Sequence, residues 1–454
     1  MAFARGGHKE YICRATTIPR YSFRKVLNLV DAQSNHILLH VPIFQRRYCW
    51  GASQLENFVK DIIKFATKPY ERVGKKSHSF GRIVVSERDE DNRLVIVDGQ
   101  QRLTTVCIFL SSVRDFLVVR GMSAEIVRMI NKILFPLGND KDCILTPTYF
   151  DREPFRACVK TTNSFTEYIS QSESGGNARS DIINSRLLLD QAVCSGYLFK
   201  RIASKFIDCK FDVDNTALVE RTILSTLQVV LDGFNVLFFK MIDKTNTMNS
   251  YFRLAIREFG MKNMFSVDSP GVSMATADLI RNVLLTCFNG EEQQLRMYQT
   301  YWAPVEKIAR MAGLEQEKDK NVNMVKNMTL VLNKFIEGED PEIIKKGEEA
   351  RSKLKWQDPS ILLFPLYTKL LTCIEGELAT NGVEVPVVLS KVTPKIENIV
   401  MKWLQKFKVF VEHTFDGKGW TGLQAKEISS MKTGGIFHGS RKGTYLSKIE
   451  NVPV

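Results

Sequence analysis

One short segment of the chain combines the residue types that bind phosphate groups. In VIVDGQQRL, three β-branched residues lead into Asp98, and Gly99, two glutamines and Arg102 follow. This pattern predicts a strand that ends at Asp98 and a helix that begins at Gln100. A helix N-terminus offers free N–H donors and a partial positive charge, and an arginine adds a bidentate guanidinium. The segment therefore predicts an anion site, although strand-to-helix turns also contain Asp-Gly for structural reasons alone.

Asp98 has two alternative roles in such a site. Its carboxylate can hold a divalent cation, Mg²⁺ together with a bound triphosphate, or it can orient the neighbouring arginine. If the site is hydrolytic, Asp98 is the residue that we assign to catalysis. We expect no further cofactor.

A second segment, PIFQRRYCW, places arginines among aromatic side chains. Gln45, Arg46 and Arg47 are followed directly by Tyr48, and Trp50 lies two positions further on. Guanidinium groups bind phosphates and aromatic rings stack on bases, so the segment can contact nucleic acid. Taken alone, it is more simply interpreted as a surface arginine pair beside aromatic residues of the core.

The surrounding elements must bring these two segments together. Periodicity predicts an amphipathic helix at 21–37, a short strand from Leu38, a helix opened by a Ser53–Glu56 capping box, a hairpin with strands at 80–86 and 94–97, and a helix at 103–119. Further helical patterns cover 182–206, 216–231, 278–288, 291–311, 322–337 and 359–375, and a strand-like segment lies at 234–242.

These patterns predict an α+β fold, with an N-terminal α/β domain followed by a mostly α-helical region. The α/β domain covers residues 20–150 and the helical domain covers 151–400. Residues 1–19 are a basic N-terminal arm or the remnant of a mitochondrial presequence. Residues 401–454 form a basic C-terminal segment.

Bulk composition indicates the class of partner. The chain has 63 basic and 50 acidic residues, a net charge of +13, and nucleic acid is the commonest polyanion that such an excess serves. Its nine cysteines show no paired spacing, which argues against a disulfide framework or a zinc site. No uninterrupted apolar run reaches the length of a membrane span, so we expect no membrane partner.

In order and spacing, these motifs resemble the GmrSD-like family. The matching segments are Pro42 to Trp50, Phe80-Gly81 and Asp98 to Thr105, and the resemblance covers roughly residues 20–290. It implies a ParB- and sulfiredoxin-like nucleotide-binding fold in which the first and last of these segments line one pocket for nucleotide phosphates. Bacterial members are restriction or phage-defence proteins that use nucleotide hydrolysis beside a nuclease domain.

Carried over position by position, the resemblance implies a set of pocket residues. These are Gln45, Arg46, Arg47, Gly81, Asp98, Gly99, Gln100, Gln101 and Arg102, with Arg47 and Gly81 the weaker members. Tyr48, Trp50, Arg281 and Asn282 are further candidates for contact with nucleic acid, although a structural role is the simpler expectation for Arg281 and Asn282.

The family's nuclease domain is only faintly echoed. FVEHTFDGKGW matches its motif through Glu412, His413 and Trp420, but the expected proline is absent and His438 has no asparagine partner. A metal-dependent nuclease needs a general base and several ligands on a rigid scaffold. We therefore expect no nuclease activity.

Three functions are compatible with these features. In the first, which we prefer, the chain is an RNA-binding protein whose retained nucleotide pocket holds an RNA 5′-triphosphate, because such an end is chemically an NTP joined to a chain. The narrower form places it among the guide-RNA-associated proteins of the kinetoplastid mitochondrial RNA editing substrate-binding complex. Its partners would then be guide RNA, a paralogous subunit in a heterodimer or heterotetramer, and other editing-complex proteins in the mitochondrial matrix.

The second function is an enzyme, an NTP-hydrolysing subunit of a GmrSD-like restriction or defence system that acts on DNA. The third is a protein-interaction scaffold with a vestigial pocket, which the intact DGQQR motif disfavours. The same pocket residues serve the first two functions. On balance we expect binding without catalysis.

Overall fold

The structure is a computed structural model. It describes residues 19–67, 78–87, 93–138, 142–174, 180–194, 197–206, 215–241, 276–288, 290–311, 328, 331–352, 365–382 and 394–414. The predicted N-terminal arm lies outside these residues except for its last position, and the predicted C-terminal segment lies outside them beyond residue 414.

A six-stranded mixed sheet organises the N-terminal part of the fold. Its strands are β1 (Arg20–Ser22), β2 (Leu38–His40), β3 (His78–Glu87), β4 (Arg93–Asp98), β5 (Leu145–Thr146) and β6 (Phe234–Met241), in the order β1-β6-β3-β4-β2-β5. β3 and β4 form an antiparallel hairpin, while β6 runs parallel to β3, and β2 runs parallel to both β4 and β5. The end of β4 therefore lies between the middle of β3 and the loop after β2.

Helices follow and interleave with these strands. They are α1 (Phe23–Val26), α2 (Ala52–Ala66), α3 (Gln100–Val119), α4 (Ala124–Leu134), α5 (Tyr149–Lys160), α6 (Thr162–Ser174), α7 (Asp181–Cys194), α8 (Tyr197–Phe206) and α9 (Thr216–Gln228), which continues into a π-helical turn at Val229–Gly233. Every residue of α3 from Leu103 to Leu117 is buried, as expected of a helix surrounded by other elements. α3 therefore gives the site at its N-terminus a rigid support.

The C-terminal part is helical throughout the residues described. Its helices are α10 (Thr276–Thr286), α11 (Glu291–Met297), α12 (Ala303–Met311), α13 (residues 331–337), α14 (Pro341–Ser352), α15 (Pro365–Thr380) and α16 (Pro394–Thr414). Ile43, Phe44, Val84 and Val97 share one hydrophobic core with these helices. The helical region thus packs directly on the strand ends that carry the candidate site. None of the described helices is long and apolar enough to cross a membrane.

The predicted α+β class is confirmed, and so are the hairpin and the long helix after it, which begins at Gln100. The strand-like segment at 234–242 is also a strand, β6, and it pairs with β3 in the N-terminal sheet although nine of the described helices precede it. The proposed boundaries at 150 and 400 remain predictions. The sheet itself draws one strand from beyond residue 150.

Three local predictions were wrong. The helix expected at 21–37 is a strand, one helical turn and a loop, because the Asp31 carboxylate accepts hydrogen bonds from the backbone N–H groups of Gln33 and Asn35 and so stabilises a turn. α2 begins at Ala52, and its capping interaction is the Gly51 N–H donating to Gln54. The helix expected at 182–206 is divided into α7 and α8.

The helix expected at 291–311 does form, but with a π-helical segment at Tyr298–Trp302 between α11 and α12. Pro304 follows this segment directly as the second residue of α12. Proline lacks an N–H donor, and a local widening of the helix accommodates this loss.

Candidate functional site

The turn between β4 and α3 requires a glycine. Gly99 has a φ of +98°, and a Cβ atom there would lie 2.8 Å from Ile83 Cγ1 and 3.0 Å from the Arg82 carbonyl oxygen. Only glycine adopts this conformation and permits this approach without strain. In this described region, the first turn of α3 contains no acidic residue and Gly99 supplies no side-chain cap. The first N–H groups of α3 thus receive no carboxylate from their own turn.

Two arginines converge on Asp98 at this turn. Arg82 Nε donates to Asp98 Oδ2 at 2.8 Å, and Arg102 Nη1 donates to the Arg82 carbonyl oxygen at 3.3 Å. Gly81 has a φ of +92°, and a Cβ atom there would lie 2.8 Å from both Cζ and Nε of Arg102. The guanidinium of Arg102 therefore occupies the space that a side chain at Gly81 would take.

The charges of this group are unbalanced. Burial opposes ionisation of Asp98, but Arg102, Arg82 and the N–H of Gly99 together hold the pKa of Asp98 below its ordinary value. The carboxylate is therefore ionised at neutral pH and offsets one of the two guanidinium charges. Among the residues that the structure describes, no group accepts a hydrogen bond from the buried Nε of Arg102. Taken together, Arg82, Arg102 and Asp98 thus carry one more positive than negative charge, and Arg102 keeps an unused donor.

Gln45 and Gln101 hold the PIFQRRYCW loop against the end of β4. The Gln101 side chain accepts from the Cys49 N–H at 2.8 Å and donates to the Arg47 carbonyl oxygen at 3.1 Å. The Gln45 amide donates to the Ile96 carbonyl oxygen, and to that of Val97 at 3.3 Å. Both amides therefore bind backbone groups, and they bring together the two segments that the sequence singled out.

The two arginines of this loop are half-buried. Arg47 Cζ lies 4.2 Å from the centre of the Phe150 ring, an attractive cation–π arrangement. Arg46 lies close enough to Cys49 to lower the pKa of its thiol, which burial nevertheless raises to about 11. Arg46 and Arg47 thus add positive charge to the loop that Gln45 and Gln101 hold against the end of β4.

Tyr48 and Trp50 are buried in the core. The Tyr48 hydroxyl lies 2.8 Å from Thr105 Oγ1, and the Tyr48 N–H donates to Asp151 Oδ2 at 2.6 Å. Trp50 meets the ring of Phe80 edge-on. In this arrangement neither aromatic ring is accessible for stacking with a nucleic-acid base. Both rings instead pack in the core and anchor the loop.

Arg281 and Asn282 lie apart from the Asp98 group, inside the helical region. Arg281 is buried, with Asp278 at 3.0 Å and Glu306 at 3.1 Å. Glu306 also accepts hydrogen bonds from the Tyr298 hydroxyl and from Trp302 Nε1. Asn282 is fully buried as well. This network joins α10 to the segment that precedes α12, which is a structural role.

Gln100 is the remaining predicted pocket residue. It is buried at the first position of α3, next to Gly99. Its place beside the turn is therefore as expected, while its side-chain role remains a prediction.

Sequence reasoning missed Arg82, which donates a hydrogen bond to Asp98. Its signal was available in SFGRIVV, because a residue next to Gly81 on one strand of a hairpin faces the end of the other strand. The expected Mg²⁺ at Asp98 remains a prediction. Within the described ranges, no three or more His, Cys, Asp and Glu side chains are grouped so that they could hold a metal ion.

At the C-terminal end of the described residues, Glu412 and His413 are exposed in the last turn of α16. Glu412 lies 3.7 Å from Lys408. Trp420 and His438 lie outside the described residues. The absence of nuclease activity therefore remains a prediction.

Comparison with known proteins adds one finding. Residues 26–285 match the family model described as the N-terminal domain of the GmrSD restriction endonuclease. This match includes β2 to β6 and all of the loop and turn residues described above. No curated protein sequence matches the chain.

Proposed function

Since this chain belongs to the family of the GmrSD restriction endonuclease N-terminal domain, we propose that the site around Arg102 binds nucleotide phosphates, and that its ligand is the 5′-triphosphate of an RNA. The observation that carries the proposal is the charge group in which Arg82, Arg102 and Asp98 meet at the N-terminus of α3, where the first turn has no acidic residue and no side-chain cap. An anion at this position would supply the missing negative charge. The anion would also accept a hydrogen bond from the unused Nε of Arg102.

A chain end fits this site better than an internal phosphate does. A 5′-triphosphate concentrates several negative charges on three linked groups, whereas each internal phosphate carries one. Two guanidiniums and a helix N-terminus can contact more than one of these groups at once. The net charge of +13 supports additional contacts to the rest of the nucleic acid.

The narrower form of the proposal takes guide RNA as the ligand in mitochondrial RNA editing. A paralogous subunit and other proteins of the editing complex would then be its partners in the mitochondrial matrix. This form rests on the size and charge of the chain rather than on any single contact.

The second candidate function is NTP hydrolysis as part of a restriction or defence system, and the family membership favours it. The same arginines would then hold free NTP, and an ionised Asp98 would be available near the phosphates. Hydrolysis requires in addition a water held in line with the terminal phosphate. The two functions therefore differ in turnover and not in the residues that bind.

The test compares three RNAs of one sequence that differ only in a 5′-triphosphate, 5′-monophosphate or 5′-hydroxyl end. Replacing Arg102 or Arg46 with Ala should weaken binding of the triphosphate RNA roughly 10- to 100-fold, the loss expected for a charge-assisted contact. Binding of the other two RNAs should change much less. Arg24→Ala is the matched control, because Arg24 forms an exposed pair with Asp232 and belongs to none of these contacts.

Released phosphate is measured in the same samples. Triphosphate-dependent binding without release supports the RNA-end receptor. Turnover of free NTP with no preference among the RNA ends would instead establish the enzyme. An equal loss for all three RNAs in the Arg102→Ala variant would show that Arg102 does not contact the terminal phosphates.

A further inference from the structure

We propose that Asp98 is a positioning residue for Arg82 and Arg102 and not a metal ligand, so that the site binds a triphosphate without a divalent cation. This inference rests on the proposed function, since it concerns how the same site holds its ligand. It departs from the sequence-based expectation that Asp98 carries Mg²⁺ with the bound triphosphate.

The carboxylate of Asp98 is already engaged by the protein. Arg82 Nε donates to its Oδ2 at 2.8 Å, and the N–H of Gly99 donates to it from the adjoining turn. Only about a quarter of the Asp98 and Arg82 side chains is exposed, 24% and 27% respectively. A cation bound to this carboxylate would have to displace or compete with these donors.

The surrounding charges also disfavour a cation. Arg102 and Arg82 both lie close enough to stabilise the ionised form of Asp98, and Arg82 also donates a hydrogen bond to it. A divalent ion at the carboxylate would therefore meet two guanidinium charges at short range, where the repulsion is weakly screened. Mg²⁺ in proteins is usually held by one or two carboxylates together with waters and phosphates. The described residues place no second and third donor of the His, Cys, Asp or Glu type beside Asp98.

Two glycines make the arginine arrangement possible. At Gly81, a Cβ atom would lie 2.8 Å from the Arg102 guanidinium, and at Gly99, a Cβ atom would lie 3.0 Å from the Arg82 carbonyl oxygen that Arg102 contacts. Both glycines have positive φ angles. The backbone is therefore shaped to hold two like charges together, and Asp98 supplies the negative charge that offsets their repulsion. In a metal-dependent site a cation neutralises the phosphates. Here the two arginines would neutralise them directly.

The first measurement is the affinity of the full-length chain for the 5′-triphosphate RNA at constant ionic strength, in Mg²⁺ and in a chelator. We expect the two affinities to agree within about threefold, since direct arginine contacts provide the binding. Asp98→Asn keeps the shape of the side chain and removes its charge. It should lower affinity about 10-fold, and by the same factor with Mg²⁺ and with chelator.

Arg82→Gln is the second variant, and it changes no carboxylate. It should reproduce the loss seen with Asp98→Asn, and the double variant should lose little more than either single one, because the two side chains act as a unit. Asp232→Asn, in the exposed pair with Arg24, controls for removal of an aspartate charge elsewhere. Thermal unfolding with Mg²⁺ alone checks each variant for folding and should show no shift of Tm for the wild-type chain.

The outcomes separate the two proposals. If the wild-type chain binds the triphosphate RNA only with Mg²⁺, and Asp98→Asn removes that dependence, Asp98 is a metal ligand and the present inference is overturned while the proposed function stands. If the wild-type chain shows no preference for the triphosphate end in either condition, the proposed function fails and takes this inference with it. Equal binding in both conditions, with matching losses in Asp98→Asn and Arg82→Gln, supports both.

Discussion

Two arginine–aspartate clusters lie at opposite ends of α3, and they are built differently. Near its C-terminal end, Arg114 and Asp115 interact with Arg186 and Asp190 of α7, so two positive charges meet two negative ones. At its N-terminal end, the two arginines Arg82 and Arg102 both converge on the one carboxylate of Asp98. The first cluster is balanced and the second is not.

Their exposure differs in the same sense. The side chains of Arg186 and Asp115 are 2% and 7% exposed and only Asp190, at 23%, reaches solvent, whereas those of Arg82 and Asp98 are 27% and 24% exposed. Arg186 has four acceptors, namely Asp115, Asp190, Ser111 and the Cys158 carbonyl. The charges of a buried cluster need partners of opposite charge within the protein, because no solvent or ligand reaches them. A cluster with a surplus charge that is open to solvent can instead take its last partner from outside.

The largest effect should come from breaking the balanced cluster. Arg186→Ala should lower the free energy of unfolding by about 3–5 kcal/mol, because it leaves buried aspartates without their positive partner. Denaturant unfolding at neutral pH measures this change. Arg24→Ala removes an exposed pair, with both side chains 41% exposed, and should cost only about 0–1 kcal/mol.

The same variant also tests the division of roles between the clusters. Folded Arg186→Ala should keep the preference for a 5′-triphosphate over a monophosphate, since Arg114 and Asp115 lie about three helical turns along α3 from Arg102. A stability within about 1 kcal/mol of wild type, or a lost triphosphate preference, would show that the two clusters do not divide their roles in this way.

Gly81→Ala should have an intermediate effect, because it should lower both the stability of the fold and the affinity for the triphosphate RNA. Alanine at a positive φ costs roughly 1–2 kcal/mol, and here its Cβ would also displace the Arg102 guanidinium. Gly121→Ala is the matched control, because Gly121 has a φ of +63° but nothing lies within 4 Å of its added Cβ.

Both variants should lose stability in thermal unfolding, and Gly81→Ala should lose more, because its Cβ also displaces the Arg102 guanidinium. Only Gly81→Ala should also weaken binding of the triphosphate RNA, by about 10-fold, since only there is a guanidinium displaced. Unchanged affinity in Gly81→Ala would mean that the position of Arg102 over Gly81 is not the one used for binding.

The unbalanced cluster shows which parts of a site can be read from a sequence. Asp98 to Arg102 are consecutive, so local rules for strand ends, glycine turns and helix starts place them correctly relative to one another. The contact between Arg82 and Asp98 depends on the register of the hairpin, which shifts at a bulge between Val84 and Val85. Periodicity alone does not determine such a shift, so Arg82 was missed.

The glutamines show a second limit of prediction from sequence, which concerns the direction in which a side chain points. Gln45 and Gln101 were correctly placed beside the turn, but the sequence does not tell whether an amide faces a ligand or a backbone group. That choice depends on how closely the loop after β2 approaches α3, which tertiary packing sets. The same holds for β6, which was predicted as a strand, while its pairing with β3 across the intervening helices was not.

The smallest effect is the pH dependence of stability, and it has opposite signs in the two clusters. The pKa of Asp98 is held below its ordinary value despite burial, by Arg102 and Arg82, so its ionised form stabilises the folded state above the unfolded pKa of about 4. This contribution is lost as the pH falls through the folded pKa. Burial raises the pKa of Asp190 in spite of Arg186, so ionising Asp190 costs stability as the pH rises through its folded value.

Unfolding free energies measured between about pH 3 and pH 7 should therefore diverge for the two asparagine variants. The deficit of Asp98→Asn relative to wild type should grow as the pH rises and shrink toward acid. Any deficit of Asp190→Asn should instead be largest at acid pH and diminish toward neutrality, because the wild-type chain then bears the cost of the ionised group. If the unfolding free energies of the two variants instead change with pH in parallel, Asp98 and Asp190 respond to pH in the same way. The extra arginine beside Asp98 would then have no effect on its ionisation.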